Sequence, residues 1–87
     1  MNISHKNSTA LFELEKDIIG DESILLQNEI KNCLNKGQTQ FCFNLAEIQN
    51  IDPPAICALI ALKKKIGDGF TFQGSANNMI FDLILKP

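Results

Sequence analysis

The segment QFCFNL, residues 40–45, is the part of the chain most typical of the centre of a sheet. It is nearly continuous in apolar and aromatic residues and only a few residues long, which is typical of a central strand covered on both faces. We therefore predict that residues 41–45 form the centre of a sheet.

Two alternating segments predict further strands. ALFELEKDII, residues 10–19, alternates around Phe12 and Leu14 and predicts an edge strand or a hairpin with one covered face. FTFQ, residues 70–73, alternates again after a glycine-containing turn and predicts a third strand. The first nine residues, MNISHKNST, are polar and predict a loose lead-in. Since 87 residues suffice for one domain, we expect a single domain over residues 10–87.

Three helices are predicted around these strands. Residues 21–37 place Leu26, Ile30, Cys33 and Leu34 on one stripe, which indicates an amphipathic helix capped by Asp21 or Ser23 and ending at Gly37. PPAICALIALKKKI, residues 53–66, predicts a second helix, and residues 75–87 predict a closing one. The alternation of strands and helices predicts a small α/β domain with a mixed, mostly parallel sheet and helices packed against it.

Composition narrows the functional classes. Eight basic and ten acidic side chains give a net charge of −2, and the only basic run, residues 63–65, has no interleaved aromatic residues, which argues against nucleic-acid binding. Cys33, Cys42 and Cys57 are odd in number and lie in apolar contexts, so we expect buried, reduced thiols. No signal peptide and no apolar run of about 18 residues is found, so we expect a cytoplasmic protein without membrane insertion.

No constellation of residues indicates catalysis. His5, the only histidine, lies in the polar lead-in, so a cysteine nucleophile would find a histidine partner only in the part of the chain that we expect to be least ordered. Carboxylate pairs such as Glu13 with Glu15 are explained by exposed strand positions, and no phosphate-binding glycine motif occurs. We expect no enzymatic activity, no metal and no cofactor.

The segment NIDPPAI, residues 50–56, is the least generic part of the chain. Asp52 can cap the helix, and Pro53 and Pro54 fit its first turn, where backbone N–H groups have no intrahelical partner. Because proline restricts the residue before it, the helix could also start at Pro54 or Ala55. The prolines remove two N–H groups that would bind an anion, so phosphate should bind poorly here. Two interpretations remain open. The prolines only fix a turn, or they belong to a stiff, mostly apolar docking surface that consists of Gln49, Asn50, Asp52, Pro53, Pro54, Ala55 and Ile56.

FCFNLAEIQNIDPPAICALIALKKKIGDGFTFQGSANNMIFDLIL, residues 41–85, resembles the STAS domain of sulfate transporters and anti-sigma factor antagonists. The strand, Gly20 and the helix upstream fit the first half of that family. The resemblance implies a cytoplasmic α/β domain that binds other proteins. In the antagonists, a kinase that is also an anti-sigma factor phosphorylates the second serine after a family aspartate.

The family's phosphorylation site is missing from this chain. The family aspartate corresponds to Asp52, the first serine to Pro53, the phosphorylated serine to Pro54 and the glycine to Ala55. Neither serine nor threonine occurs between Gln40 and Phe70, so phosphorylation cannot act at this loop.

The resemblance leaves three functions open. The first is a regulatory module of the antagonist type that docks a kinase-like anti-sigma factor through residues 52–57 without phosphorylation. The second is an accessory subunit that binds the ATPase of a phospholipid-trafficking ABC transporter through the same loop. The third is a small-ligand sensor, against which the two prolines argue if the ligand is an anion. The exposed edge of the first strand also offers a surface for homodimer formation.

Overall fold

The computed structural model describes residues 1–73 of the chain. It is an α/β domain, as predicted. The elements in chain order are β1 (Asn2–Lys6), β2 (Thr9–Glu13), α1 (Asp21–Asn35), β3 (Gln40–Asn44), α2 (Pro53–Ile66), a single 3-10 turn (Gly67–Gly69) and β4 (Phe70–Gln73). The predicted closing helix over residues 75–87 lies outside the described residues.

The four strands form one mixed sheet in the order β1-β2-β3-β4. β1 and β2 are antiparallel, whereas β2 pairs with β3 and β3 pairs with β4 in parallel. The mostly parallel sheet and the central place of β3 are therefore confirmed. Since both parallel connections step in the same direction, right-handed crossovers place α1 and α2 side by side on one face of the sheet.

The prediction of a loose lead-in at residues 1–9 is wrong. Residues 2–6 form β1, which pairs with β2 across a two-residue turn at Asn7 and Ser8. Both turn residues have positive φ, 52° and 69°, as in the type I′ turns that suit the twist of a hairpin. β2 therefore belongs to a hairpin and lies inside the sheet, between β1 and β3, so the alternative of an edge strand is wrong.

The core lies between the sheet and the two helices. Phe43 of β3 is fully buried, and its ring centroid lies 4.9 Å from that of Phe12 and 5.4 Å from that of Phe70. Phe41, Cys42 and Phe43 are all buried, and of these Phe41 and Phe43 belong to the core cluster, so the covering of β3 on both faces stays a prediction. Such tilted aromatic pairs stabilise the core beyond the area that they bury.

Helix α1 ends as predicted and begins differently. Gly37, with φ of 87°, closes a Schellman motif in which Gln38 N–H donates to the Cys33 carbonyl and Gly37 N–H donates to the Leu34 carbonyl, both at 3.0 Å. At the other end the N-cap residue is Gly20, which makes no side-chain cap hydrogen bond. The predicted capping by Asp21 or Ser23 is therefore wrong.

Neither α1 nor α2, the helices found within residues 1–73, combines the length and the hydropathy needed to cross a membrane.

Candidate functional site at the start of the second helix

Helix α2 begins at Pro53, and Asp52 is its N-cap. Asp52 has extended backbone angles, φ −85° and ψ 162°, and its Oδ1 accepts a hydrogen bond from the Ala55 N–H at 3.2 Å. Pro53 and Pro54 occupy the first two helical positions, whose missing N–H groups cost the helix nothing. The predicted cap and the start at Pro53 are confirmed, without the shift to Pro54 or Ala55.

The same carboxylate also contacts the start of α1. The Gly20 N–H donates to Asp52 Oδ2 at 3.1 Å, and the Ser23 hydroxyl donates to this carboxylate too. Ser23 is only 2% exposed, and it is the third residue of α1, so its side chain cannot cap this helix. One side chain thus joins the N-termini of both helices.

These contacts set the charge state of Asp52. The hydrogen bond from Ser23 is the largest cause that lowers the pKa of the Asp52 carboxyl, and the N–H groups of Ala55 and Gly20 lower it further, while desolvation opposes them. The carboxylate therefore remains ionised at neutral pH, at the positive end of both helix dipoles.

A second carboxylate, Asp17, holds the loop before α2. Its Oδ1 accepts from the N–H groups of Gln49 at 2.8 Å and Asn50 at 3.1 Å, and its Oδ2 accepts from the Asn50 side-chain amide at 2.9 Å. The Asn50 side chain is the largest cause that lowers the pKa of Asp17. Sequence reasoning missed Asp17, because no local pattern relates it to residues more than 30 positions away.

The two loops are also joined by their backbones. Ile18 N–H donates to the Asn50 carbonyl at 3.0 Å, and Asp52 N–H donates to the Ile18 carbonyl at 2.9 Å. Ile18 and Ile51 thereby form a parallel bridge beyond the ends of β2 and β3. Since the Ile18 side chain is fully buried, this bridge fixes both loops to the core.

The structure divides the predicted docking residues by exposure. Pro53 and Pro54 are exposed, and Ile56 is half-buried. Ala55 is fully buried, so its side chain belongs to the core and its assignment to the docking surface is wrong. Gln49 and Asn50 are exposed, but the Asn50 amide is already bonded to Asp17.

Two isoleucines at the N-terminal end of α1 belong to an exposed apolar surface that sequence reasoning missed. Ile19 is 53% exposed and Ile24 is 57% exposed. Ile19 precedes Gly20 and Pro53 follows Asp52, so the hydrogen bond between Gly20 and Asp52 brings the isoleucine and the proline to one site. We name this surface the apical patch; it consists of Ile19, Ile24, Pro53 and Pro54.

Ile24 extends the apical patch toward α2. Its N–H donates to the Gly20 carbonyl at 3.2 Å, one turn into α1. Gln27 and Lys31, three and seven residues further on, line the groove that α1 shares with α2, so Ile24 lies on that side of its helix. The sequence contained one signal of this surface, since Ile24 falls outside the buried apolar stripe of α1.

Within residues 1–73, no group of three or more His, Cys, Asp or Glu could hold a metal ion. Cys33 and Cys42 are buried, as predicted, but Cys57 is exposed, so its predicted burial is wrong. The helical phase explains the difference: Ala55, Leu59 and Leu62 point to the core, which leaves Cys57 on the outer side.

Comparison with known proteins adds no family to these observations. No protein-family model matches the chain, and no curated protein matches it, so membership of the STAS family stays a prediction.

Proposed function

We propose that this chain is a non-enzymatic regulatory module, similar to STAS domains, that docks a partner protein through the apical patch and the adjoining start of α2. The observation that carries the proposal is the exposure of two isoleucines and two prolines around the hydrogen bonds that Asp52 makes to the starts of α1 and α2. Exposed apolar clusters of this kind mark protein interaction sites more often than isolated apolar side chains do.

The rigidity of the apical patch supports the same function. The carboxylates of Asp52 and Asp17 hold the loops on either side, and the rings of Pro53 and Pro54 fix their own backbone. A surface that is already ordered loses little conformational entropy when a partner binds. Such a patch can bind a protein with few contacts.

The absence of a hydroxyl on the apical patch supports docking without phosphorylation. The serine that contacts this network, Ser23, is 2% exposed and bonded to Asp52, so a kinase cannot reach it in the folded chain. The order of elements also supports the resemblance to STAS domains: a central strand, a capping aspartate, an apolar helix, a glycine turn and a further strand.

One observation favours the alternative partner, the ATPase of a phospholipid-trafficking ABC transporter. The resemblance implies that binding to such an ATPase needs no phosphorylation. Pro53 and Pro54 have no hydroxyl group that could be phosphorylated. We place either function in the cytoplasm, because three free thiols, one of them exposed, suit a reducing compartment.

The experiment is a pull-down from native lysate with identification of the bound protein. Wild type is compared with Pro54→Asp and Ile24→Asp, which place a negative charge in the apical patch. The control is Asn32→Asp, which places the same charge on an exposed position further along α1. We expect one partner to be retained by wild type and Asn32→Asp and lost with the other two variants.

The identity of the recovered protein decides between the partners. An anti-sigma factor with a kinase fold supports the first function, and a transporter ATPase supports the second. Equal recovery of every protein by all four chains, with unchanged circular dichroism spectra, would exclude docking through the apical patch.

A further inference from the structure

An apolar groove lies along the line where α1 and α2 meet. Ile30, Leu34 and Leu62 contribute its apolar surface, and its volume is about 200 Å³. Both helices run in the same direction, because both follow strands of the parallel part of the sheet. The groove therefore begins at Gln27 and Ala58, about one helical turn after Ile24 and Pro54, and runs toward the C-terminal ends of both helices.

The groove exists because α2 presents small side chains to α1. Ala58 and Ala61 lie on the face of α2 that looks toward α1, four and seven residues after Pro54. Ala61 is exposed and Ala58 is half-buried, so the space that leucines would fill stays open. Beneath them Ile30 and Leu62 are nearly completely buried and form an apolar floor.

The charges at the groove have one sign. Lys31 and Lys65 are the charged residues among the described residues that line it, and none of those lining residues is acidic. Since the whole chain carries a net charge of −2, this positive surface is opposite in sign to the molecule. Complementary charges at the rim of an interface direct the partner and select against partners of the wrong sign.

The backbone indicates which kind of segment fits. The N–H and C=O groups of α1 and α2 along the groove are used inside their own helices, so an extended peptide would find no ladder of free groups to pair with. A helix needs only side-chain packing, which two adjacent helices provide. From Gln27 to Leu34 the groove follows seven residues of α1, about 10 Å, which corresponds to about two turns of a bound helix.

We propose that the groove between α1 and α2 binds an amphipathic helix of the partner protein, with apolar residues on one side and acidic residues opposite Lys31 and Lys65. This inference rests on the proposed function, because it names the part of the partner that enters beside the apical patch. It adds the secondary structure, the approximate length and the charge of that part.

A helix-constrained peptide library displayed on phage tests the inference with the full chain as bait. We expect enrichment of peptides that have apolar residues at spacings of three and four and a negative net charge. One enriched peptide is then synthesised with a fluorophore, and its affinity is measured by anisotropy. We expect the double variant Lys31→Glu/Lys65→Glu and the groove-filling Ala61→Arg each to weaken binding about tenfold or more.

Lys36→Glu/Lys64→Glu is the matched control for the double variant, since it makes the same charge change at two exposed lysines that do not line the groove. It should bind the peptide within about twofold of wild type. Failure to enrich peptides, enrichment of basic peptides, or equal affinity for Ala61→Arg and wild type would overturn the inference. A wild-type dimer that Ala61→Arg dissociates would also overturn it, because a second copy would then be the occupant.

Failure of this inference can be separated from failure of the proposed function. If the partner in the pull-down is lost with Pro54→Asp but retained by Ala61→Arg and by Lys31→Glu/Lys65→Glu, the groove is not used and the apical patch still is. If Pro54→Asp retains the partner, the proposed function itself fails.

Discussion

The side chain of Asp52 and the backbone of Gly20 meet at 3.1 Å although the two residues are 32 positions apart. Because the same carboxylate caps α2 through Ala55, both helices start from one charged group. The positive ends of both helix dipoles lie at this point, and a negative charge there stabilises both helices. The domain therefore depends on a single ionised side chain at the place proposed to bind the partner.

The stability of the domain should fall in acid because of Asp52. The pKa of its carboxyl is lowered from the ordinary value of 3.8, so the folded state favours the ionised form. This contribution is fully present above pH 3.8 and is lost as the pH falls through the lower pKa of the folded state. Urea unfolding at a series of pH values should show a smaller acid-induced loss in Asp52→Asn than in wild type.

The control for this prediction is Asp68→Asn, at an exposed carboxylate of the 3-10 turn that caps neither α1 nor α2. It should show the same acid-induced loss as wild type. Equal loss in Asp52→Asn and wild type would contradict the role of this charge. Asp17→Asn should change the pH dependence in the same direction as Asp52→Asn, since the pKa of Asp17 is also lowered.

Replacing Gly20 with alanine should destabilise the fold without any steric clash. Gly20 has φ of 59° and ψ of −123°, a region that is almost restricted to glycine, yet a Cβ there would meet nothing within 4 Å. The expected loss is about 1 to 3 kcal/mol, from backbone conformation alone. Equilibrium unfolding in urea measures it.

Gly37→Asn provides the comparison for Gly20→Ala. Gly37 also has positive φ, but it follows α1 in a Schellman motif, where asparagine is the usual second choice. It should lose less stability than Gly20→Ala does. A loss below about 0.5 kcal/mol for Gly20→Ala would show that the loop adjusts and that its geometry is not required.

The three thiols should react at different rates. Cys57 is exposed, whereas Cys33 and Cys42 are buried, and burial followed by the charge of Glu29 raises the pKa of the Cys33 thiol. Because the thiolate is the reactive form, Ellman's reagent should modify one thiol rapidly in the native chain and all three in denaturant. Cys57→Ser should abolish the rapid phase, and a second rapid thiol would contradict the packing around β3 or α1.

Local patterns predicted the parts of the fold that local interactions determine. The apolar run around Phe43 predicted the central strand, because short apolar runs are typical of strands inside a mostly parallel sheet. Asp52 followed by Pro53 predicted the helix start, because capping and the position of proline depend on neighbours in sequence. Gly37 predicted the end of α1 for the same reason.

Other parts depend on contacts that no local pattern contains. Four of the five residues of β1 are exposed, so its sequence is mostly polar and does not indicate a strand. It forms a strand because it pairs with β2. The bonds from Asp17 to the loop before α2 and from Asp52 to Gly20 join segments more than 30 residues apart. Residues at such distances are brought together only by the parallel pairing of β2 and β3.

Two errors at the candidate site could have been avoided. The prediction treated residues 53–56 as one exposed unit, although Leu59 and Leu62 fix the helical phase and place Ala55 inside. The same phase places Cys57 outside. Ile24 is also a signal in the sequence. An apolar residue outside the buried stripe of α1 indicates an exposed apolar surface at the start of this helix.

The hairpin of β1 and β2 has a consequence for the behaviour of the chain in solution. β1 pairs with one hydrogen-bonding edge of β2 along its whole length. The alternate residues Ala10 and Phe12 of β2 are fully buried. If β1 were removed, an apolar strand with a row of unpaired backbone groups would become the sheet edge, which is a template for aggregation. β1 itself is short and mostly polar and carries His5 and Lys6, so it makes a poor template. These first residues bury little apolar surface, and yet they protect the sheet from adding strands of other chains.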